Sequence, residues 1–324
     1  MKPLGKTGLL VTPVGMGVLT IGPTQHALSV AEGAHIVRHA LESGVNFFDT
    51  AEYYETYPHI KRALDGLAPS FSRNALTRPV ISSKSLSKDY RGMQRAIDDC
   101  RRALDLDQID IFLLHEVCGA SDFESRLGAW ECLQNAKDKG YIKAAGLSTH
   151  HVDAAAISAE APETDVLFPL INQQGLGIRN RNGAGTREEM QQAIKAAHER
   201  GIGIFAMKAF GGGHLLSRYK ESLDYVWGLQ GISSIMIGMG CEKDVDDAIA
   251  WAECKLPKGF MPDIENKRMF VDRGDCVGCA ACVSRCTSKA IRLDNEGIAT
   301  VDNNVCILCG YCAPVCPTRA LIFL

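Results

Sequence analysis

The chain is 324 residues long and 46% hydrophobic, with a formal net charge of −3 and a pI near 6.3. That balance, without any Lys/Arg block, leaves no electrostatic footprint for nucleic acid or for an anionic membrane surface. No apolar run approaches the ~18 residues of a membrane span, and the opening Met-Lys-Pro-Leu-Gly-Lys lacks a leader's apolar core, so a cytoplasmic protein is expected.

Residues 4–12 (Leu-Gly-Lys-Thr-Gly-Leu-Leu-Val-Thr) read as two short strands about a Thr-Gly turn, a hairpin suited to plugging one end of a barrel. Beyond it, eight short apolar runs have the character of strands: Val14 to Val18, Val45 to Asp49, Val80 to Lys84, Ile109 to His115, Ala144 to Thr149, Val166 to Ile171, Ile202 to Ala209 and Ser233 to Met239. Helical stretches separate them, at Ala31 to Ser43, His59 to Leu64, Tyr90 to Leu104, Arg126 to Lys139, Val152 to Glu160, Arg187 to Arg200, Leu215 to Leu229 and Lys243 to Glu253. In the third of these, Met93, Ile97, Cys100 and Leu104 recur at helical spacing, and Gly44, Gly140 and Gly201 stand where helices would stop. Eight rounds of strand and helix predict an α/β protein whose parallel sheet closes as a (β/α)8 TIM barrel over residues 1–254. An open doubly wound sheet is the competing topology.

Residues 255–270 form a linker with two prolines and mixed charge. Its extended reach of ~50 Å lets residues 271–324 sit at either end of the barrel. Those last residues carry eight of the 13 cysteines, while Cys100, Cys118, Cys132, Cys241 and Cys254 are scattered through the barrel. Disulfides are not expected in the cytosol, so the dense group is read as metal-binding. Of the scattered five, Cys100 and Cys132 fall on helices as core residues, and Cys118 is placed in a barrel-mouth loop within reach of substrate.

The dense group repeats. Cys276, Cys279, Cys282, Cys286 and Ala290 recur thirty residues later as Cys306, Cys309, Cys312, Cys316 and Ala320, which suggests two halves related by a pseudo-twofold axis. Each half reads Cys-x2-Cys-x2-Cys-x3-Cys, where three close thiolates hold one cubane and the fourth ligates the other cluster. The expected sets are Cys276, Cys279, Cys282 and Cys316 for cluster one, and Cys306, Cys309, Cys312 and Cys286 for cluster two. Zinc sites show separated pairs more often than runs of four. This part resembles a bacterial-type two-[4Fe–4S] ferredoxin, a small α+β domain, with Thr287 where the second half has Pro317.

The barrel's chemistry is expected at strand ends. Asp49 ends the second strand with Tyr54 just beyond it, Lys84 ends the third and His115 the fourth, all at the mouth where such barrels react. Reducing a carbonyl needs a proton at oxygen as hydride reaches carbon, and a phenol within hydrogen-bond reach supplies it. An ammonium at Lys84, held by Asp49, would lower the pKa of Tyr54 from ~10. His115 would donate to the carbonyl oxygen. Tyr53 and Tyr57 are expected to line the pocket.

With Asp-Thr-Ala-x-x-Tyr at residues 49–54, this quartet resembles the catalytic tetrad of the aldo-keto reductase family over roughly residues 4–253. The likeness extends to Gly15-Met16-Gly17, Gly146-Leu147-Ser148 and Met207-Lys208-Ala209-Phe210-Gly211-Gly212-Gly213; with the cysteine repeat, the chain resembles the ferredoxin-fused branch of that family. The resemblance implies an NAD(P)H-linked oxidoreductase acting on a small aldehyde or ketone, or on the alcohol. Its cofactor would be NADP(H) or NAD(H), bordered by Gly17 and with its carboxamide held by Ser148, with Thr149 or His150 beside it, and by Asn172. Phe168 stands where the family often has Gln, and Met207 where an aromatic usually stacks on the ring. Gly211, Gly212 and Gly213 would approach the pyrophosphate, while Gly238 and Lys243 belong to the adenosine-phosphate loop, which lacks the family's usual Arg. The two [4Fe–4S] clusters would serve electron transfer or support, with a ferredoxin or flavoprotein as redox partner. The alternatives are a ferredoxin-type electron carrier using the barrel as scaffold, or a cluster-fed reductase that does not use nicotinamide.

Overall fold

The computed structural model describes residues 1–323 except 24, 68–77, 162, 264–267, 287, 307–311 and 314. Its first strands, β1 (Lys2–Pro3) and β2 (Leu10–Val11), pair antiparallel as a hairpin. The parallel strands β3 (Val14–Gly17), β4 (Phe47–Asp49), β5 (Val80–Ser85), β6 (Ile109–Leu114), β7 (Ile142–Thr149) and β8 (Val166–Pro169) follow. A small hairpin of β9 (Arg179–Asn180) and β10 (Gly183–Ala184) precedes β11 (Gly203–Ala206) and β12 (Ile232–Gly238). The order β11-β12-β3-β4-β5-β6-β7-β8 closes on itself, so the closed barrel is borne out and the open sheet is not.

Local chemistry explains the helices around it. Ser29 and Thr186 each close a capping box with a glutamate three residues on, Glu32 and Glu189, and start the helices Val30–Glu42 and Arg187–Glu199. Asp89 caps Tyr90–Leu104, whose Met93, Ile97, Cys100 and Leu104 are all buried as the spacing predicts.

Two apolar cores result. The outer one packs helices on the barrel wall; the inner one fills the barrel with Phe47, Val80, Ile111, Leu113, Phe168, Phe205 and Met236, and with Leu4, Leu9 and Val11 from the hairpin. The hairpin therefore plugs the amino-terminal end. Leu4 sits so close to Gly203 that a Cβ there would come within 2.7 Å of its Cγ.

The last domain is built from β13 (Met269–Val271), β14 (Ile291–Leu293), β15 (Ala299–Val301) and β16 (Leu321–Phe323), paired β13 with β16 and β14 with β15. Its core includes Cys282, Cys312 and Cys316 among Met269, Ile291, Ala299 and Leu321. This domain sits on the carboxyl-terminal mouth. Arg179 Nη2 donates to Thr318 O at 2.7 Å, His214 Nε2 meets Leu321 O at 2.9 Å, and Ile322 packs on Gly212. The linker leaves both ends of the barrel open; these contacts select the mouth.

Candidate active site and cluster sites

β4 and β5 place the central ion pair. Lys84 Nζ donates to Asp49 Oδ2 and to Thr50 O, both at 2.7 Å, and both side chains are almost wholly buried. Burial works against each charge, lowering the pKa of Lys84 and raising that of Asp49, and each offsets the other's cost. A short 3₁₀ turn, Glu52–Tyr54, then carries Tyr54 over the pair, and Glu55 ends it in the left-handed region (φ 56°). Lys84 Nζ lies 4.5 Å from the centre of the Tyr54 ring, and the Tyr54 hydroxyl is 3.4 Å from His115 Nε2. The four residues therefore converge.

One expectation fails here. The pKa of Tyr54 is raised well above that of a free phenol, first by burial and then by the carboxylates of Asp49, Glu116, Asp272 and Asp275. The lowering expected from Lys84, whose charge is shared with Asp49 at 2.7 Å, is outweighed by burial and these carboxylates. His115 is held neutral by burial and by Lys84, His150 and Arg126. Arg126 Nη1 fixes the residue through its carbonyl at 2.7 Å, and the buried Nδ1 has no hydrogen-bond partner among the described residues.

Two cavities meet at Leu19, Gln25 and Tyr54. The larger, ≈ 190 Å³, is lined by Gly17, Asp49, Phe168, Met207, Gly212, Gly213, Ile237 and Gly238, and by Ile322 of the last domain. Gly211, Gly212 and Gly213 all have positive φ (58°, 71° and 90°), which only glycine adopts freely; Gly212 and Gly213 let the backbone form the wall, while Gly211 lies outside the lining. The smaller, ≈ 120 Å³, is enclosed by Tyr53, Leu86, His115 and Glu116 from the barrel and by Val271, Asp272, Arg273 and Gly274 from the other domain.

Not every residue expected at a cofactor faces these spaces. Ser148 is buried and its Oγ accepts from Glu116 N at 3.0 Å. Asn172 braces a loop, donating to Leu176 O at 2.9 Å and accepting from Gln174 N and Leu176 N. Lys243 Nζ is held by both Asp247 oxygens at 2.8 and 3.0 Å. Tyr53 lines the smaller cavity, whereas Tyr57 is directed to Ser83 at 2.8 Å. Cys118 lies outside both linings, its Sγ donating to Glu116 O at 3.1 Å, and Cys100 and Cys132 are buried in the core as expected.

A buried charge cluster at the domain junction has no counterpart in the sequence reading. Asp275 of the last domain pairs with Lys208 at 3.2 Å and Arg179 at 3.3 Å and lies 3.8 Å from His150 Nδ1. Burial would raise its pKa, but Lys208, His150 and Arg179 outweigh it and hold the carboxyl below the usual range. His150 is pushed down to about 3 by burial and Lys208. Glu116, beside His115, is pushed up to about 7 by burial and by Asp275 and Asp272.

The cysteines fit a cluster. Cys276, Cys279, Cys282 and Cys316 line one small cavity, three from the first half of the repeat and one from the second. Backbone amides point at the sulfurs, from Ala299 to Cys276 at 3.4 Å and from Ala320 to Cys316 at 3.3 Å. Ala290 repeats the latter contact on Cys286 at 3.2 Å, as the internal repeat requires. Cys309 of the second set lies outside the described residues.

A family model described as the aldo/keto reductase family matches residues 13–230, and one for a 4Fe-4S dicluster domain matches residues 269–324. The chain is 23% identical to L-galactose dehydrogenase of Arabidopsis thaliana, over 77% of this chain and 87% of that one. It is 28% identical to methylglyoxal reductase DkgA of Yersinia pestis, over 56% of this chain and 63% of that enzyme. The holo form of an aldo-keto reductase from Bacillus halodurans superposes with a TM-score of 0.63 at 16% identity, over 78% of this chain and 90% of that one, a likeness of fold. Among the described residues no helix is long and apolar enough to cross a membrane.

Proposed function

For a chain that belongs to the aldo/keto reductase family and carries a 4Fe-4S dicluster domain behind its barrel, we propose NAD(P)H-linked reduction of a small aldehyde or ketone, or the reverse oxidation. The observation that carries this reading is the meeting of two cavities at Tyr54, with His115 and the Lys84–Asp49 pair against it. The larger cavity has the backbone-walled glycines and apolar side chains that suit a dinucleotide, and a nicotinamide there would supply hydride. A substrate carbonyl in the smaller cavity would accept a hydrogen bond from neutral His115 Nε2 and a proton from the Tyr54 hydroxyl. The raised pKa of Tyr54 keeps that proton on the phenol until charge develops on the carbonyl oxygen. Lys84, fixed by Asp49, offsets the phenolate that the transfer leaves. The names of the relatives, a sugar dehydrogenase and a methylglyoxal reductase, support a small oxygenated substrate.

Cys276, Cys279, Cys282 and Cys316 would hold one [4Fe–4S] cluster, and Cys286, Cys306, Cys309 and Cys312 the other, able to pass electrons singly to or from a ferredoxin or flavoprotein. Asp275, adjacent to Cys276 and touching Lys208 and His150, sits between the first set and the catalytic mouth and favours a second reading, a reductase fed by its clusters. Anaerobic protein assayed with a panel of small carbonyls separates the two. Consumption of NADH or NADPH supports the first reading; turnover with reduced ferredoxin alone supports the second, and none with either overturns both.

A further inference from the structure

We infer that the larger cavity selects NAD(H) and rejects NADP(H), because the end that would receive the adenosine ribose presents carboxylates where a 2′-phosphate would need a cation. The inference rests on the dinucleotide reading of that cavity. With the reacting ring against Tyr54, Asp49 and Phe168, the other half of the dinucleotide extends past Gly238, at the end of β12, toward the outer helix Glu242–Ala252. Asp244 and Asp247 of that helix line this end, with Tyr219 and Pro262. Both carboxylates act on Tyr219, whose hydroxyl is pushed up by burial, then by Asp247 and Asp244.

Three features remove what a 2′-phosphate would use. Lys243, the nearest lysine in sequence, is held by both oxygens of Asp247 and is not part of the described lining. The helix start already has acids in its first turn, Glu242 and Asp244, and Asp244 Oδ2 accepts from Gly240 N at 2.8 Å. Lys208, the one lysine or arginine among the described lining residues, is tied to Asp275 at 3.2 Å. A ribose diol, by contrast, donates hydroxyls that a carboxylate accepts, whereas a phosphate dianion is repelled by Asp244 and must compete with Asp247 for Lys243.

The test is equilibrium titration of the full chain with NADH and with NADPH, followed by fluorescence, at low and high salt. NADH should bind at least ~10-fold tighter, and the ratio should shrink as salt screens the repulsion. Asp247→Asn, which frees Lys243, and the double substitution Asp244→Asn/Asp247→Asn should tighten NADPH and close the gap. Wild-type binding of NADPH equal to or tighter than NADH overturns the preference and leaves the dinucleotide reading standing. A ratio that neither substitution moves overturns the assignment to these carboxylates, and failure to bind either dinucleotide overturns the reading beneath it.

Discussion

Lys208 Nζ lies 3.2 Å from Asp275 Oδ2, joining a loop of the barrel mouth to the residue before the first cluster cysteine. Asp275 is buried and also serves Arg179. Removing its charge strands two cations at the junction. Asp275→Asn should therefore cost about 2–4 kcal/mol, discounted from a fully buried pair because Lys208 and Arg179 keep partial solvent access. Thermal unfolding and limited proteolysis between the domains should both show it; an unchanged melting temperature with an unchanged cleavage pattern would mean the junction is held by other contacts.

Tyr54→Phe keeps the ring over Lys84 and removes the proton. Turnover of carbonyl substrate should fall by ~10²–10⁴-fold while the dissociation constant for reduced dinucleotide changes by no more than about twofold. Stopped-flow hydride transfer and fluorescence titration measure the two. A variant that turns over at the wild-type rate removes Tyr54 from the chemistry.

Glu116 gives a pH signature. Its native pKa is raised to about 7, so the native state binds a proton that the unfolded chain releases near ~4.3. The stability from that proton is complete below ~4.3 and is lost as pH rises through about 7. Across that window the wild type should lose up to about 3 kcal/mol relative to Glu116→Gln, read from melting temperature against pH. Carbonyl reduction should fall through the same pH, because an ionised Glu116, beside Asp272, Asp275, Lys208 and Arg179, makes the Tyr54 phenolate costlier. Glu116→Gln should flatten both profiles, and identical curves for the two proteins would refute this role.

Cys316 comes from the second half of the repeat but joins Cys276, Cys279 and Cys282 around one cavity. Cys316→Ala should remove about half of the ~8 irons expected for two cubanes. Iron analysis and the visible spectrum report it; full iron content would break the crossed pairing.

The convergence of Asp49, Tyr54, Lys84 and His115 was legible because each follows an apolar run whose alternation with helices already implies a common mouth. Its electrostatics were not. The Asp49–Lys84–Tyr54 spacing suggests an ammonium that acidifies the phenol, whereas the depth of the site and four nearby carboxylates decide the opposite. Ser148, Asn172 and Lys243 show a second limit. Their positions along the chain were readable, yet the directions of their polar atoms depend on backbone groups and an acid one turn away. The junction of Arg179, Lys208 and Asp275 left no local pattern, since its members come from three distant segments. Glu116, directly after His115, was the one clue available.

The hairpin closes the base of the barrel and the last domain lies across its mouth, and the two cavities that meet at Tyr54 have Leu19 and Gln25 as common walls. A shift of Leu19 or Gln25 from one side therefore reshapes the space on the other.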